Sequence, residues 1–235
     1  MAFRTLDPDK ILATAEALER RVAGRFPDRG LHKVAAEVVA LTQSVIIETR
    51  ALIPPIWWLR GVIIGIVLAG AGLFLSVGSV ISLNQLGRDT VDSVQGIEAA
   101  INTLVLAALG LTALIRLEAR LKRQRVARGL HGLRSIIHVI DMHQLTKDPV
   151  ALMPGYAPRP ESPDRLANPQ DLSRYLDYCS ELLAITGKLA ALYAQAVNDE
   201  GVAEAVNDIE TLGSNLSRKV WQKITMVEAM ATPGR

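Results

Sequence analysis

The stretch HVIDMHQL, residues 138–145, sets His138 and His143 on either side of Asp141, with His131 and Arg134 just upstream. Imidazoles and a carboxylate are the groups that hold a metal ion or move a proton, so a metal centre or an acid–base site is the first chemistry to weigh. On a helix of 3.6 residues per turn, His131, Arg134, Ser135, His138, Asp141 and Met142 share one sector, while Leu133, Ile136 and Ile140 point the other way. His138 and Asp141 are three apart and can meet through a charge-assisted hydrogen bond. His143 lies about 140° around the helix from His138. His138, Asp141 and His143 therefore converge on one ion only if the helix ends or unwinds near Met142. A zinc-protease helix spaces its histidines four apart for this geometric reason, and that spacing is absent. The pattern predicts no metal, no cofactor and no catalytic residue. An amphipathic helix gives this pattern as a plain polar face with no function at all, and if the face does work, His131, Arg134, His138 and Asp141 suit contact with a partner or a lipid head group.

Other chemistry is fainter. The sequence has no GxxxxGK[ST] phosphate loop, no GxGxxG after a strand, no GxSxG elbow and no CxxC. Asp177 and Glu181 are spaced as paired acids on a helix but read as a solvated face, and Tyr175 and Tyr178 read as packing residues. Arg218, Lys219 and Lys223 beside Trp221 form a basic amphipathic helix end that a membrane surface or an acidic partner would also fit. The single cysteine, Cys179, excludes an internal disulfide and a cysteine-based zinc site. With 26 Lys and Arg against 24 Asp and Glu, the net charge of +2 gives no footprint for nucleic acid.

The elements that must carry these groups are set by where the apolar residues lie. Mean hydropathy is positive and the chain has only 3 Phe, so a soluble core does not account for all the apolar residues. The N-terminal stretch MAFRTLDPDKILATAEALERRVAGRF has charges that interrupt any apolar run, so no cleavable secretory signal is expected. From 61 to 83 there is no charged residue over 23 positions. At about 1.5 Å per residue that run can cross a hydrocarbon core of roughly 30 Å. A second run, 99–115, is interrupted only by Asn102. The fold class expected is an all-α integral membrane protein, a two-span transmembrane helical hairpin with a cytoplasmic helical bundle or coiled-coil-like hairpin. The spans cover about 57–83 and 97–117 within a segment 56–117, joined by an outer loop 84–96.

Just after the second run, Arg116, Arg120, Lys122, Arg123, Arg125 and Arg128 stand against the one acid Glu118, whereas the loop has one base and two acids. Positive charge beside spans stays inside, so both termini are expected on the cytoplasmic side of the inner membrane and the loop outside. Trp57 and Trp58 sit where interfacial aromatics are favoured. Small residues form a stripe on each span, Gly61, Gly65, Ala69 and Gly72 on the first and Ala99, Thr103, Ala107 and Gly110 on the second, which suits close helix packing within the hairpin or between copies.

Around the spans, residues 1–55 read as two N-terminal helices, with Asp7 and Pro8 opening the first and FPDRG, 26–30, breaking it from the second. Residues 118–145 read as a basic extension of the second span, and Arg120, Lys122, Arg123 and Arg125 as contacts for lipid head groups or a partner. Residues 146–170, with six prolines, read as a linker or an ordered loop, and 171–230 as a helical hairpin turning at NDEG. Neither span has an interior charge, which weakens a transporter reading. The function expected is a non-enzymatic membrane-anchored scaffold or accessory subunit. It would bind membrane lipids and act as a homo-oligomer or as a subunit of a larger membrane complex, with no nucleic acid. The alternatives are an oligomeric two-span pore lined by Ser76, Ser79, Asn102 and Thr103, and a membrane-tethered metal-dependent enzyme using the 131–143 cluster.

Overall fold

The computed structural model describes residues 5–80, 90–153, 155–157, 166 and 168–231. Every regular element among them is a helix: α1 (Pro8–Arg25), α2 (Gly30–Leu52), α3 (Trp57–Val80), α4 (Thr90–Leu145), a 3-10 turn (Pro149–Leu152), α5 (Pro169–Ala196) and α6 (Glu200–Ala231). One device starts three of them. Asp7, Asp148 and Asn168 each precede a proline, and each side chain accepts from the backbone amide two residues on, at 3.0, 3.0 and 2.9 Å. Proline at the first helical position has no amide to leave unpaired, and the cap satisfies one of the donors that remain. Asp199 begins α6 in a related way, accepting from the Val202 amide at 3.2 Å.

The chain forms two compact units, Met1–Ile53 with Arg123–Arg235, and Pro54–Lys122. In the first, α5 is the central helix. Leu172, Tyr175, Leu176, Tyr178, Cys179, Leu182, Leu183, Ile185, Leu189, Leu192 and Tyr193 are all buried, far more than one amphipathic stripe provides. α6 packs antiparallel on α5 through a stripe of Val202, Val206, Ile209, Leu216, Val220 and Val227, and Gly213 and Ile224 extend it. α1 buries Ile11, Ala15, Leu18 and Val22, and α2 contributes Leu31, Val34, Val38 and Val45. The last turns of α4 supply Val126, Leu130, Leu133, Ile136, Ile137 and Ile140. Tyr175 and Tyr178 are packing residues, both edge-on to Phe26 at centroid distances of 5.4 and 6.2 Å.

Ion pairs decorate this core. Arg21 with Glu181, Arg25 with Asp171 and Arg50 with Asp9 join helices across partly exposed surfaces. Such pairs contribute about 0–1 kcal/mol each, against about 1.5–3 kcal/mol for a fully buried Leu or Ile, so apolar burial decides the fold.

The second unit is different. Every described side chain at 64–70 and 104–113 is exposed, among them Leu68 at 66%, Leu104 at 72% and Leu106 at 68%. Among the described residues one helical stretch, Gly30–Gly70, holds a window long and apolar enough to cross a membrane, with 11% of that window buried. The stretch is interrupted at 53–56, where Pro54 and Pro55 separate α2 from α3, as the missing amides of proline require. Of the loop expected over 84–96, residues 90–96 lie in α4; residues 81–89, like Pro154, 158–165 and 167 of the proline-rich segment, lie outside the described residues. The proline-rich segment is partly structured: Asp148 and Pro149 start its 3-10 turn, and Lys147 is buried with its ammonium 5.3 Å from the centre of the Tyr175 ring.

Leu182 and Ile209 are each 1% exposed at the α5–α6 contact. Leu182→Asp or Ile209→Asp is expected to cost about 3 kcal/mol or more, because a carboxylate there has no partner. Chemical denaturation followed by circular dichroism checks this, and unchanged midpoints for both variants would show that these faces are not the core. Gly129→Ala is expected to destabilise as well, by about 1–3 kcal/mol, since a Cβ there runs into the Tyr193 hydroxyl.

Candidate functional site

The polar patch lies on the last third of α4, which the core-facing residues Leu133, Ile137 and Ile140 fix in rotation. With that face inward, His131, Arg134, Ser135, His138 and Met142 are exposed along one side, as the periodicity predicts. Their connections are not all as expected. Asp141 does not bond His138: its Oδ1 accepts from Gln144 Nε2 at 2.6 Å. Gln144 is 3% exposed, and its backbone oxygen and Oε1 accept from Lys223 Nζ of α6 at 2.9 and 2.6 Å. Asp141 thus belongs to a chain of bonds that closes the end of α4 onto α6. Burial lowers the Lys223 pKa, and Asp148 and Asp141 act against that shift. Arg134 approaches Asp208 of α6 at 4.0 Å, a loose contact that leaves its guanidinium half exposed. The freely presented part of the patch is His131, His138 and the outer edge of Arg134.

His143 takes a third direction. Its imidazole lies over Gly30 at the start of α2, in space that a side chain at that position would fill. The suggested ligands His138, Asp141 and His143 therefore do not converge, and among the described residues no three His, Cys, Asp or Glu side chains gather as a metal site would need. Burial, and secondarily the Lys147 ammonium, hold the His143 pKa below its ordinary value.

The basic residues divide in the same way. Within the second unit, Glu118 accepts from the Ile56 amide at 3.3 Å and lies 3.6 Å from Arg60 Nε and 3.3 Å from Lys122 Nζ. Desolvation pushes the Glu118 carboxyl up, but the Ile56 amide, Lys122 and Arg60 together outweigh it, and its pKa falls below the usual value. This clasp holds the start of α3 beside α4 where the apolar part of α4 ends. In the first unit, Arg123 pairs with Asp199 at 2.5 Å, which raises the arginine pKa and lowers that of the carboxyl. Lys122 and Arg123 are thus engaged within the chain. Arg120 and Arg125 are exposed and carry no ion pair among the described residues.

The small-residue stripes stand open. Gly61, Gly65, Ala69, Gly72, Ala107 and Gly110 are exposed, and a Cβ built at any of these glycines meets nothing within 4 Å among the described residues. The side chains of Ala99 and Thr103, and those of Ser76 and Ser79, lie outside the described residues; Asn102 is exposed.

Two features went unnoticed in the sequence. Tyr193, wholly buried as a residue, donates from its hydroxyl to Glu48 Oε2 at 2.5 Å, tying α5 to α2 where Gly129 lets α4 come close. Burial, then the bond to Glu48, raises the tyrosine pKa. A glycine inside a helical pattern is the signal that could have flagged the approach. The second is the Asp141–Gln144–Lys223 chain, whose members look like ordinary surface residues in sequence. As for nucleophiles, Cys179 is fully buried and its thiol is pushed up to about 12, the opposite of what a reactive cysteine needs.

Because the folded state lowers the His143 pKa, the unfolded chain takes the proton first as pH falls. The contribution of His143 to stability is flat above about pH 6.5 and is lost below it until the folded-state pKa is passed. His143→Gln is expected to remove this component, so that the loss of denaturation midpoint between pH 7.5 and 5.5 is smaller than in wild type. An equal loss in both would contradict the linkage. His138→Ala, on an exposed position, is expected to leave the midpoint unchanged.

Compared with known protein families, curated proteins and solved structures, the chain matches none.

Proposed function

We propose that this protein is a non-enzymatic, membrane-anchored helical scaffold or accessory subunit. α3 and the apolar part of α4 cross the inner membrane as a two-span hairpin, and the helical body assembles with a further copy or a partner complex at the cytoplasmic face. The observation that carries this reading is the exposure of every described side chain at 64–70 of α3 and 104–113 of α4, apolar stretches that no core among the described residues receives. A helix apolar on every side is stable only inside a large core or in lipid, and a helix satisfies its own backbone groups there. Water would be in contact with leucine and isoleucine at 64–70 and 104–113.

The Glu118 clasp supports the hairpin. It brings Ile56 and Arg60, just before the first apolar run, beside Glu118 and Lys122, just after the second, so both runs start from the same polar end. Trp57 and Trp58, 73% and 66% exposed, stand at that level, as interfacial aromatics do. Six bases against one acid over 116–128 give that end its cytoplasmic assignment. Exposed Arg120 and Arg125 are free to meet anionic head groups. For the body, the exposed helix faces are the working part, since its one thiol, Cys179, is fully buried.

A reporter active only in the cytoplasm is expected to work when fused after Arg235 and to fail when inserted at Arg88. The reverse pattern would overturn the topology, and activity at both positions would overturn the two spans.

A further inference from the structure

The charges of α6 are arranged antisymmetrically. Its first half carries Glu200, Glu204, Asp208 and Glu210 and no base; its second half carries Arg218, Lys219 and Lys223 and one acid, Glu228. The helix dipole favours acids at the start and bases at the end but fades within about one turn, so it does not reach Glu210 or Arg218 in the middle of 32 residues. Neither of these two, nor Lys219, has an ion pair among the described residues.

From this pattern we infer that α6 is the contact between two copies of the chain, packed antiparallel about a two-fold axis at Ser214. Glu210 and Arg218 are each four residues from Ser214, so each faces the other on the second copy. Such a contact is self-complementary, as closed dimers require. All of Asn207, Glu210, Ser214, Arg218, Trp221 and Thr225 are exposed and share the face centred on Ser214. Beside that face, α5 and α6 form a groove of about 700 Å³ whose small residues, Ala184, Gly187, Ser214 and Ser217, let a second helix come near. Trp221, 54% exposed at the end of the groove, is the aromatic anchor and meets Asn207 of the copy, each seven residues from the axis. Glu200 would face Glu228, so the contact ends inside them, over about 203–225. Lys223 is already bound to Gln144 and takes no part. The inference deepens the assembly named above and rests on it only in taking the second copy as the partner.

The test is disulfide trapping in membranes of the full chain. Ser214→Cys lies on the axis, where two Cβ atoms come within disulfide reach, and the native Cys179 is fully buried and silent. Mild oxidation is expected to give a dimer of Ser214→Cys and none of the control Asn215→Cys, one residue around the helix. Adding Glu210→Arg or Arg218→Glu is expected to reduce the trapped dimer roughly tenfold, as like charges then meet at both symmetry-related pairs, and combining the two restores it. No dimer at Ser214→Cys, equal dimer at Asn215→Cys, or no rescue by the double reversal would overturn the two-fold contact. Failure to trap with the protein still in the membrane fraction counts against this dimer alone, whereas trapped dimer in the soluble fraction counts against the anchor alone.

Discussion

α5 must be covered over most of its circumference, with only a narrow strip at Arg174, Ala184 and Lys188 left exposed between Leu172 and Tyr193. Its buried residues run from Leu172 to Tyr193 around most of the helix, so the chain must bring apolar faces to it from several directions. α6 covers one side as its hairpin partner, α1 and α2 cover others, and the end of α4 completes the enclosure. This requirement joins segments at opposite ends of the sequence into one unit. The polar contacts follow it: Leu6 and Gln195 exchange hydrogen bonds at 2.8 and 3.2 Å, and Tyr193 reaches Glu48, only because the core has already placed them. In turn, the enclosure fixes which face of α4 looks outward and so where His131, Arg134 and His138 stand.

α4 changes character along its 56 residues. Its apolar part is exposed all round, then Glu118, Lys122 and Arg123 form paired contacts, then an ordinary amphipathic helix begins at Val126. A helix can serve in both settings because its backbone is satisfied internally in either. The charges at the transition do local work, since Lys122 and Arg123 both have acidic partners. A basic count is therefore an upper limit on what lipid can meet, and Arg116, Arg120, Arg125 and Arg128 remain as exposed members with no ion pair among the described residues.

Much of this was legible in the sequence, for physical reasons that differ by element. The stripes of α1, α5 and α6 follow a 3.6-residue period, and on α6 Val202, Val206, Ile209, Leu216, Val220 and Val227, which share that period, are buried. Asp7–Pro8 announced its helix because cap and proline act locally. The joining of α1 and α2 to α5 left no local trace, since long-range packing is written in shape rather than in period. The same holds for the site. The sector containing His131, Arg134 and His138 came from geometry on one helix, but Asp141 was drawn into a bond with Gln144 and Lys223, and His143 onto Gly30, by helices distant in sequence. The wide burial of α5, visible in its three tyrosines and in Ser180 and Thr186, exceeded any single stripe and marked it as the centre.

The central claim is that the exposed apolar surface of α3 and α4 is met by lipid. The most direct measurement is alkaline carbonate extraction of membranes from cells making the full chain, which strips proteins held by charge or by a partner and leaves spanning helices in place. The account predicts that the protein stays in the membrane pellet, and that replacing Ile64, Leu68, Leu104 and Leu106 by lysine releases it. Release of the unaltered protein into the soluble fraction would contradict the account.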